Sequence, residues 1–298
     1  MSNAKISVGI TAYKNPQFIA AALNSLINQT DDAWEGVLIL DKGSDKKVEE
    51  YFEKFYHPKF LKYKCKTHRG AEGARHKAIE LSSAEWYFQL DSDDKIPPDA
   101  IKEILVKIRE NPKAEFIYGP SLHFSKNSSY VVPPTNNPEV LSTSPLFGTQ
   151  MPIKISMYFR IGGYAKELKY IGADWDFWLT VYEKNILGAE TNKVLYHRRN
   201  HNKGVISRNM PLWPAVIDTI IFRHPKFFCN NERKRKALYF VYEKLARYYR
   251  TKRKRKKAAD YAKIALQNGS STTTLQEILI EKKMSKIRYA IRILGKLL

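Results

Sequence analysis

The sequence predicts an α/β chain, a mostly parallel sheet with helices on both faces, followed by a basic helical C-terminal region. Three observations carry this. Short runs of high β-propensity alternate with helix-forming segments from Ile6 to Arg109, the spacing of strand–helix–strand units. The runs at Gly36–Leu40 and Trp86–Leu90 each end abruptly in acidic residues, as buried strands do when they deliver polar groups to one edge of a sheet. The basic residues gather late in the chain: from residue 232 onward 20 Lys and Arg face 5 Asp and Glu, a balance of +15 within a total of +21.

The elements follow in order. Ile6 to Ile10 reads as a first strand, and Thr11-Ala12-Tyr13-Lys14-Asn15-Pro16 turns into an apolar helix over Phe18–Leu26. Gly36–Leu40 is a second buried strand that runs into Asp41-Lys42-Gly43-Ser44-Asp45. A helix over Val48–Phe55, a short strand over Leu61–Lys64 and a helix that follows Gly70 and ends at Leu81 lead to Trp86–Leu90. That strand opens into Asp91-Ser92-Asp93-Asp94, three carboxylates in four positions. They cannot stay in an apolar core, and all-oxygen donors suit a hard cation, Mg²⁺ or Mn²⁺. The plainer alternative is an acidic loop before the helix Ile101–Arg109, opened by Pro97, Pro98 and Asp99.

Composition narrows the classes. A chain of 298 residues with 43% hydrophobic residues supports a globular core and excludes a disordered chain. Cys65 and Cys229 have no metal-ligand spacing and no secretory segment precedes the first strand, so a reduced, cytoplasmic protein without a structural disulfide is expected. No apolar run nears the roughly 18 residues a membrane span needs, so any membrane association is peripheral. The basic tail fits an anionic surface, and a nucleic-acid-binding protein is the competing class, although no nucleic-acid module is present.

Five segments, in this order, carry a family likeness: a strand into Thr11-Ala12-Tyr13, "SLINQT" at Ser25–Thr30, a strand into Asp41-Lys42-Gly43-Ser44, "GARHKAI" at Gly73–Ile79 and "LDSDD" at Leu90–Asp94. Over about residues 5 to 210 the chain resembles the family-2 glycosyltransferases, which have the GT-A nucleotide-sugar fold. The resemblance implies a metal-dependent, inverting transfer of a sugar from a nucleoside diphosphate donor, with a UDP-sugar favoured, to a glycan or lipid-linked acceptor in surface-polysaccharide or lipopolysaccharide assembly. It implies a catalytic domain over 1–210, with a donor half to about 120 and an acceptor half beyond, and a basic region over 211–298.

Within that likeness, Thr11 and Ser92 line the donor site. Tyr13 offers a face for a base or packs on the sheet edge, and Asp41 bonds base or ribose or else caps a helix. The family's second acid after Asp41 is Lys42 here, which cannot accept from an imide N–H. Arg75 lies by the diphosphate or pairs with Glu72 or Glu80. Asp91 faces the ribose, Asp93 binds the metal and Asp94 assists it. Gly172-Ala173-Asp174-Trp175-Asp176-Phe177 resembles the acceptor-side signature with Ala173 in place of its glutamate, and Asp174 is expected to be the general base, or only to cap a helix. His201 is expected as a further metal ligand, with Arg198 and Arg199 by the phosphates.

The stretch Ser121–Gln150, rich in Ser, Asn and Pro, reads as a long mobile acceptor loop. Two helices are expected over Arg233–Tyr249 and Lys257–Leu266. Met284, Ile287, Ile291, Leu294 and Leu298 repeat at helical spacing, suited to the headgroup layer of an acidic bilayer or to packing on the protein's own domain. An inactive nucleotide-sugar-binding relative remains a further alternative, because of Lys42 and Ala173.

Overall fold

The structure, a computed structural model, describes residues 4–168, 170–200, 209–270 and 272–283. The chain divides into two compact units, Met1–Asn137 with Pro145–Lys203, and Pro138–Ser144 with Gly204–Leu298.

The first unit is built on a seven-stranded sheet. Strands β1 (Ile6–Ala12), β2 (Trp34–Leu40), β3 (Phe60–Lys64) and β4 (Trp86–Asp91) form its parallel part in the order β3-β2-β1-β4. Their connections are helices α1 (Pro16–Ile27), α2 (Lys46–Lys54) and α3 (Gly70–Leu81), with α4 (Ala100–Glu110) after β4. β1 and β2 are buried along nearly their whole length, which is why they read as continuous apolar runs rather than alternating ones. Ile6, Val8 and Ile10 of β1 pack with Leu38 of β2, Trp86 and Phe88 of β4, Leu23 of α1 and Ile104 of α4 in one core. Gly9 is required by close approach: a Cβ there would lie 2.0 Å from the Tyr87 hydroxyl.

The remainder of the sheet mixes directions. β8 (Ile153–Lys154) is antiparallel to both β4 and β5 (Phe116–Tyr118), and β9 (Gly188–Glu190) is parallel to β5. Between β8 and β9 lie α5 (Ile155–Arg160) and α6 (Ala173–Glu183).

The expected mobile loop over 121–150 is corrected. Its first third is a hairpin of β6 (Ser121–Phe124) and β7 (Ser129–Val132), closed by the Ser125 N–H on the Ser128 carbonyl at 2.8 Å. β10 (Tyr196–Arg199) joins β6 in parallel and completes a three-stranded sheet. These strands hold few buried side chains, with Tyr130 and Val131 both 54% exposed, so no hydrophobic period marks them.

In the second unit, α7 (Trp213–Arg223) precedes α8 (Asn231–Thr251) and α9 (Arg255–Asn268). The two helices expected here are thus present, joined by a short exposed basic turn. Asn230 caps α8 by accepting from the N–H groups of Glu232 and Arg233, and α8 meets α9 through a stacked pair, Tyr249 and Tyr261, 5.5 Å apart. Arg250 pairs with Glu277 and Glu281, and Lys282 with Asp260. No described helix is long and apolar enough to cross a membrane. The amphipathic stretch from Met284 lies outside the described residues.

Candidate active site

The strand order reverses direction at the β1–β4 pair, the kind of place where an open α/β sheet parts to admit a ligand. Thr11 and Asp91 are register partners there, at the carboxyl ends of their strands. Along β4, Trp86, Phe88 and Leu90 enter the core, while Tyr87, Gln89 and Asp91 share the opposite face. They form a polar ladder: the Tyr87 hydroxyl donates to Gln89 Oε1, and Gln89 Nε2 donates to Asp91 Oδ1 at 3.1 Å.

Asp91 is further held by Arg75 Nη2 on Oδ1 at 2.8 Å and by Gln150 Nε2 on Oδ2 at 2.8 Å. Burial opposes its charge, but the Arg75 guanidinium and the two amides win and keep its carboxyl below the usual range. Arg75 also binds Glu72 at 2.5 Å, each side chain only 12% exposed. Arg75 is thus ion-paired with Glu72 and Asp91, while Glu80 turns to His76 and Lys77. Burial and then the neighbouring Asp174 push Glu72 upward against the pull of Arg75.

Asp174 sits in the first turn of α6, after Gly172 at φ 87°, a left-handed turn that favours glycine. Its Oδ1 accepts the Trp175 N–H at 2.9 Å. Burial raises its carboxyl above the ordinary range, and the Trp175 N–H, Arg75 and Arg198 only moderate this. Asp176, as helical spacing requires, is turned elsewhere and fully buried.

Asp94 is built into the protein. The Tyr196 hydroxyl donates to Oδ2 at 2.8 Å and the Arg199 N–H to Oδ1 at 2.6 Å. Burial, then the charges of Asp91 and Asp93, push it up to about 7. The same Tyr196 hydroxyl accepts the Asp91 N–H at 3.0 Å, so β10 straps down the acidic loop. Arg199 belongs to that strap rather than to a phosphate: its Nε donates to the Asp93 carbonyl, and its guanidinium lies 4.4 Å from the Phe18 ring centre and 4.5 Å from that of Phe124.

Asp93 and Ser92 are half-buried. His201 lies outside the described residues, and among the described residues no group of three or more His, Cys, Asp or Glu side chains is placed to hold a metal ion. The donors still fit Mg²⁺ or Mn²⁺, which commonly take one or two carboxylates and complete their shell with substrate phosphate and water. Tyr13 and Asp41 stand at the ends of β1 and β2, and the Tyr13 ring centre is 5.2 Å from that of His68. Asp41 caps α3: Oδ1 accepts from the N–H groups of Lys42 and Arg69 and Oδ2 from that of Gly70, while His68 Nδ1 lies 2.8 Å from Oδ2 and within 3.2 Å of the Lys42 carbonyl.

The model of the family described as "Glycosyl transferase family 2" matches residues 7–166, which contain β1 to β4, the acidic loop and Gln150. The chain belongs to this family. As a family-2 glycosyltransferase it is an enzyme, with the expected GT-A fold. It is 29% identical to an uncharacterized glycosyltransferase of Haemophilus influenzae over 66% of this chain and 69% of that one. The chondroitin synthase of Pasteurella multocida is 24% identical over 69% of this chain but only 22% of its own length. The same fold occurs in S. aureus TarS 1-349, solved in complex with UDP-GlcNAc, with TM-score 0.63 at 16% identity over 88% of this chain and 81% of that one. It occurs too in the mannosyltransferase PcManGT from Pyrobaculum calidifontis, solved with GDP-Man and Mn²⁺, with TM-score 0.55 at 13% identity over 95% and 80%.

Sequence reasoning named Glu72 as one of two partners for Arg75 but missed the other supports of this glycosyltransferase site, Gln89, Gln150 and Tyr196. Gln89 alone carried a signal, a polar residue inside an apolar strand.

Proposed function

We propose that this glycosyltransferase moves a sugar from a uridine diphosphate donor to a hydroxyl of a glycan or lipid-linked acceptor, with inversion, in the assembly of a surface polysaccharide. The observation that carries the reading is the cluster of Asp91, Arg75, Glu72 and Asp174 at the carboxyl end of β4, where a half-buried acid of raised pKa stands beside fixed charge. The solved neighbours with UDP-GlcNAc and GDP-Man support a nucleotide-sugar donor.

Asp174 takes the proton of the attacking hydroxyl; its raised pKa makes it a stronger base than an exposed aspartate. Thr11, Tyr13 and Ser92 line the donor site. Arg75 fixes Asp91 for the ribose and sets the local field. Asp93 would hold a divalent cation, with Asp94 tying the loop and His201 a further candidate ligand. Such a cation, when bound, neutralises charge growing on the departing diphosphate. Residues 1–210 form the catalytic domain in this reading. The basic region 211–298 approaches an anionic surface, the cytoplasmic face of a membrane, where a lipid-linked acceptor resides.

The test pairs two variants. Asp174→Asn should leave donor affinity within about threefold while transfer falls roughly 10²–10⁴-fold, the range for losing a general base. Asp93→Ala should abolish the extra thermal stabilisation that Mn²⁺ adds to bound UDP. Undiminished turnover in Asp174→Asn, or an unchanged Mn²⁺ effect in Asp93→Ala, refutes the corresponding role. Salt-sensitive binding of RNA or DNA without any nucleotide-sugar binding would favour the nucleic-acid class instead.

A further inference from the structure

We infer that His68 reads the base of the donor, its Nε2 accepting the imide N–H of a uracil stacked on Tyr13; this rests on the uridine-donor reading above. The inference begins with Asp41, which is already engaged by the fold. A carboxylate offers about four lone-pair sites, and three backbone N–H groups converge on this one, those of Lys42 at 2.9 Å, Arg69 at 2.8 Å and Gly70 at 3.0 Å, with His68 Nδ1 lying 2.8 Å from Oδ2. Asp41, 4% exposed, therefore anchors the start of α3 and is turned to the fold rather than to a base. Lys42, next in the chain, is a donor only.

His68 supplies what both lack. Its Nδ1 faces two acceptors, Asp41 Oδ2 at 2.8 Å and the Lys42 carbonyl at 3.2 Å, so the ring proton sits on Nδ1. A neutral imidazole protonated there presents Nε2 as an acceptor. Among the described residues nothing bonds Nε2, and the His68 side chain is 43% exposed. The ring lies 5.2 Å from that of Tyr13, inclined by 35°, so a flat heterocycle against Tyr13 would bring its edge to the imidazole. Uracil offers an N3–H on that edge; cytosine offers an acceptor, which Nε2 repels. The Asp41 carboxylate and the Lys42 carbonyl hold the imidazole before any ligand arrives, and a partner fixed in advance discriminates more sharply than a mobile one.

Calorimetric titration of the full chain with UDP, N3-methyl-UDP, CDP and GDP tests this, on the wild type and on His68→Asn and His68→Ala. Asparagine keeps a donor where Nδ1 stands and deletes Nε2, so the loop anchor survives; thermal melting confirms the fold of both variants. The wild type should bind UDP roughly tenfold tighter than N3-methyl-UDP or CDP, the scale of one well-made hydrogen bond. In both variants UDP should weaken by about tenfold and the preference over N3-methyl-UDP should shrink to about twofold. UDP binding with its full preference intact in both variants, or a wild type that takes CDP as well as UDP, overturns the role of His68 and leaves a nucleotide-sugar donor standing, whereas a wild type that prefers GDP overturns the uridine reading and this inference with it. A wild type that binds no nucleoside diphosphate overturns the donor reading, and this inference with it.

Discussion

Replacing Tyr196 by Phe removes one oxygen and nothing else. The ring stays packed, 2% exposed and 6.3 Å from Phe88, so no cavity forms and the whole effect is the hydroxyl's. That hydroxyl accepts the Asp91 N–H at 3.0 Å and donates to Asp94 Oδ2 at 2.8 Å. Its loss strands an amide and takes from Asp94, 4% exposed, one of the two protein donors described for its carboxyl. An unpaired buried amide costs about 1–3 kcal/mol and a charge-assisted bond contributes about 1.5–3 kcal/mol. The acidic loop can relax toward water, so the expected destabilisation is about 2–4 kcal/mol, read as a lower urea midpoint for the first unit at unchanged slope. The pH dependence separates the two contributions. Asp94 is pushed up to about 7, so in the folded state its charge develops as pH rises through that value. The charge-assisted part is small at pH 5.5 and full at pH 8.5, and the deficit of Tyr196→Phe must grow between them. A deficit under about 0.5 kcal/mol at pH 8.5, or one equal at both pH values, would refute the reasoning.

The remaining predictions concern the same sheet edge. Because folding raises Asp94 from an ordinary aspartate value to about 7, the fold binds a proton more tightly than the unfolded chain; stability is greatest below about pH 4 as far as this group is concerned and is lost as pH rises through 7. The loss amounts to about 4 kcal/mol, and Asp94→Asn should flatten that part of the pH–stability curve, as measured by urea midpoints from pH 4.5 to 8.5. Gly9→Ala places a Cβ 2.0 Å from the Tyr87 hydroxyl and 2.6 Å from its ring. Tyr87 is held by β4 and by Gln89, so overpacking of about 1–3 kcal/mol should lower the thermal midpoint. A neutral Gly9→Ala would show that the β1–β4 pair yields where a packed sheet should not.

The parallel core was legible because its strands are buried on both faces. Runs such as Val37–Leu40 and Trp86–Leu90 leave no other fate for so many β-prone apolar residues. The rest of the sheet was not. β8 has two residues and β9 three, too few for any period to show, and each is a strand only because β4 or β5 lies beside it. β6 and β7 are polar and exposed, so their pairing is carried by backbone bonds that composition does not reveal.

The site was legible in its acids and illegible in their division of labour. Three carboxylates in four positions look alike in a sequence, and Asp41 looks like a fourth. Their roles are set by which donors fold onto them, and those donors lie far along the chain: Gln150 reaches Asp91 across 59 positions and Tyr196 reaches Asp94 across 102. Asp91 gathers an arginine and two amides and is held ionised, whereas Asp94, in contact with a phenol and one amide N–H, stays near neutrality. The difference follows from one physical fact: in a dry setting the charge of a carboxylate is decided by the strength of its donors, and a guanidinium outweighs a hydroxyl. Asp41 shows the same rule at its limit. Three backbone N–H groups bind it and it serves the fold, which is why the base contact is inferred for the histidine beside it.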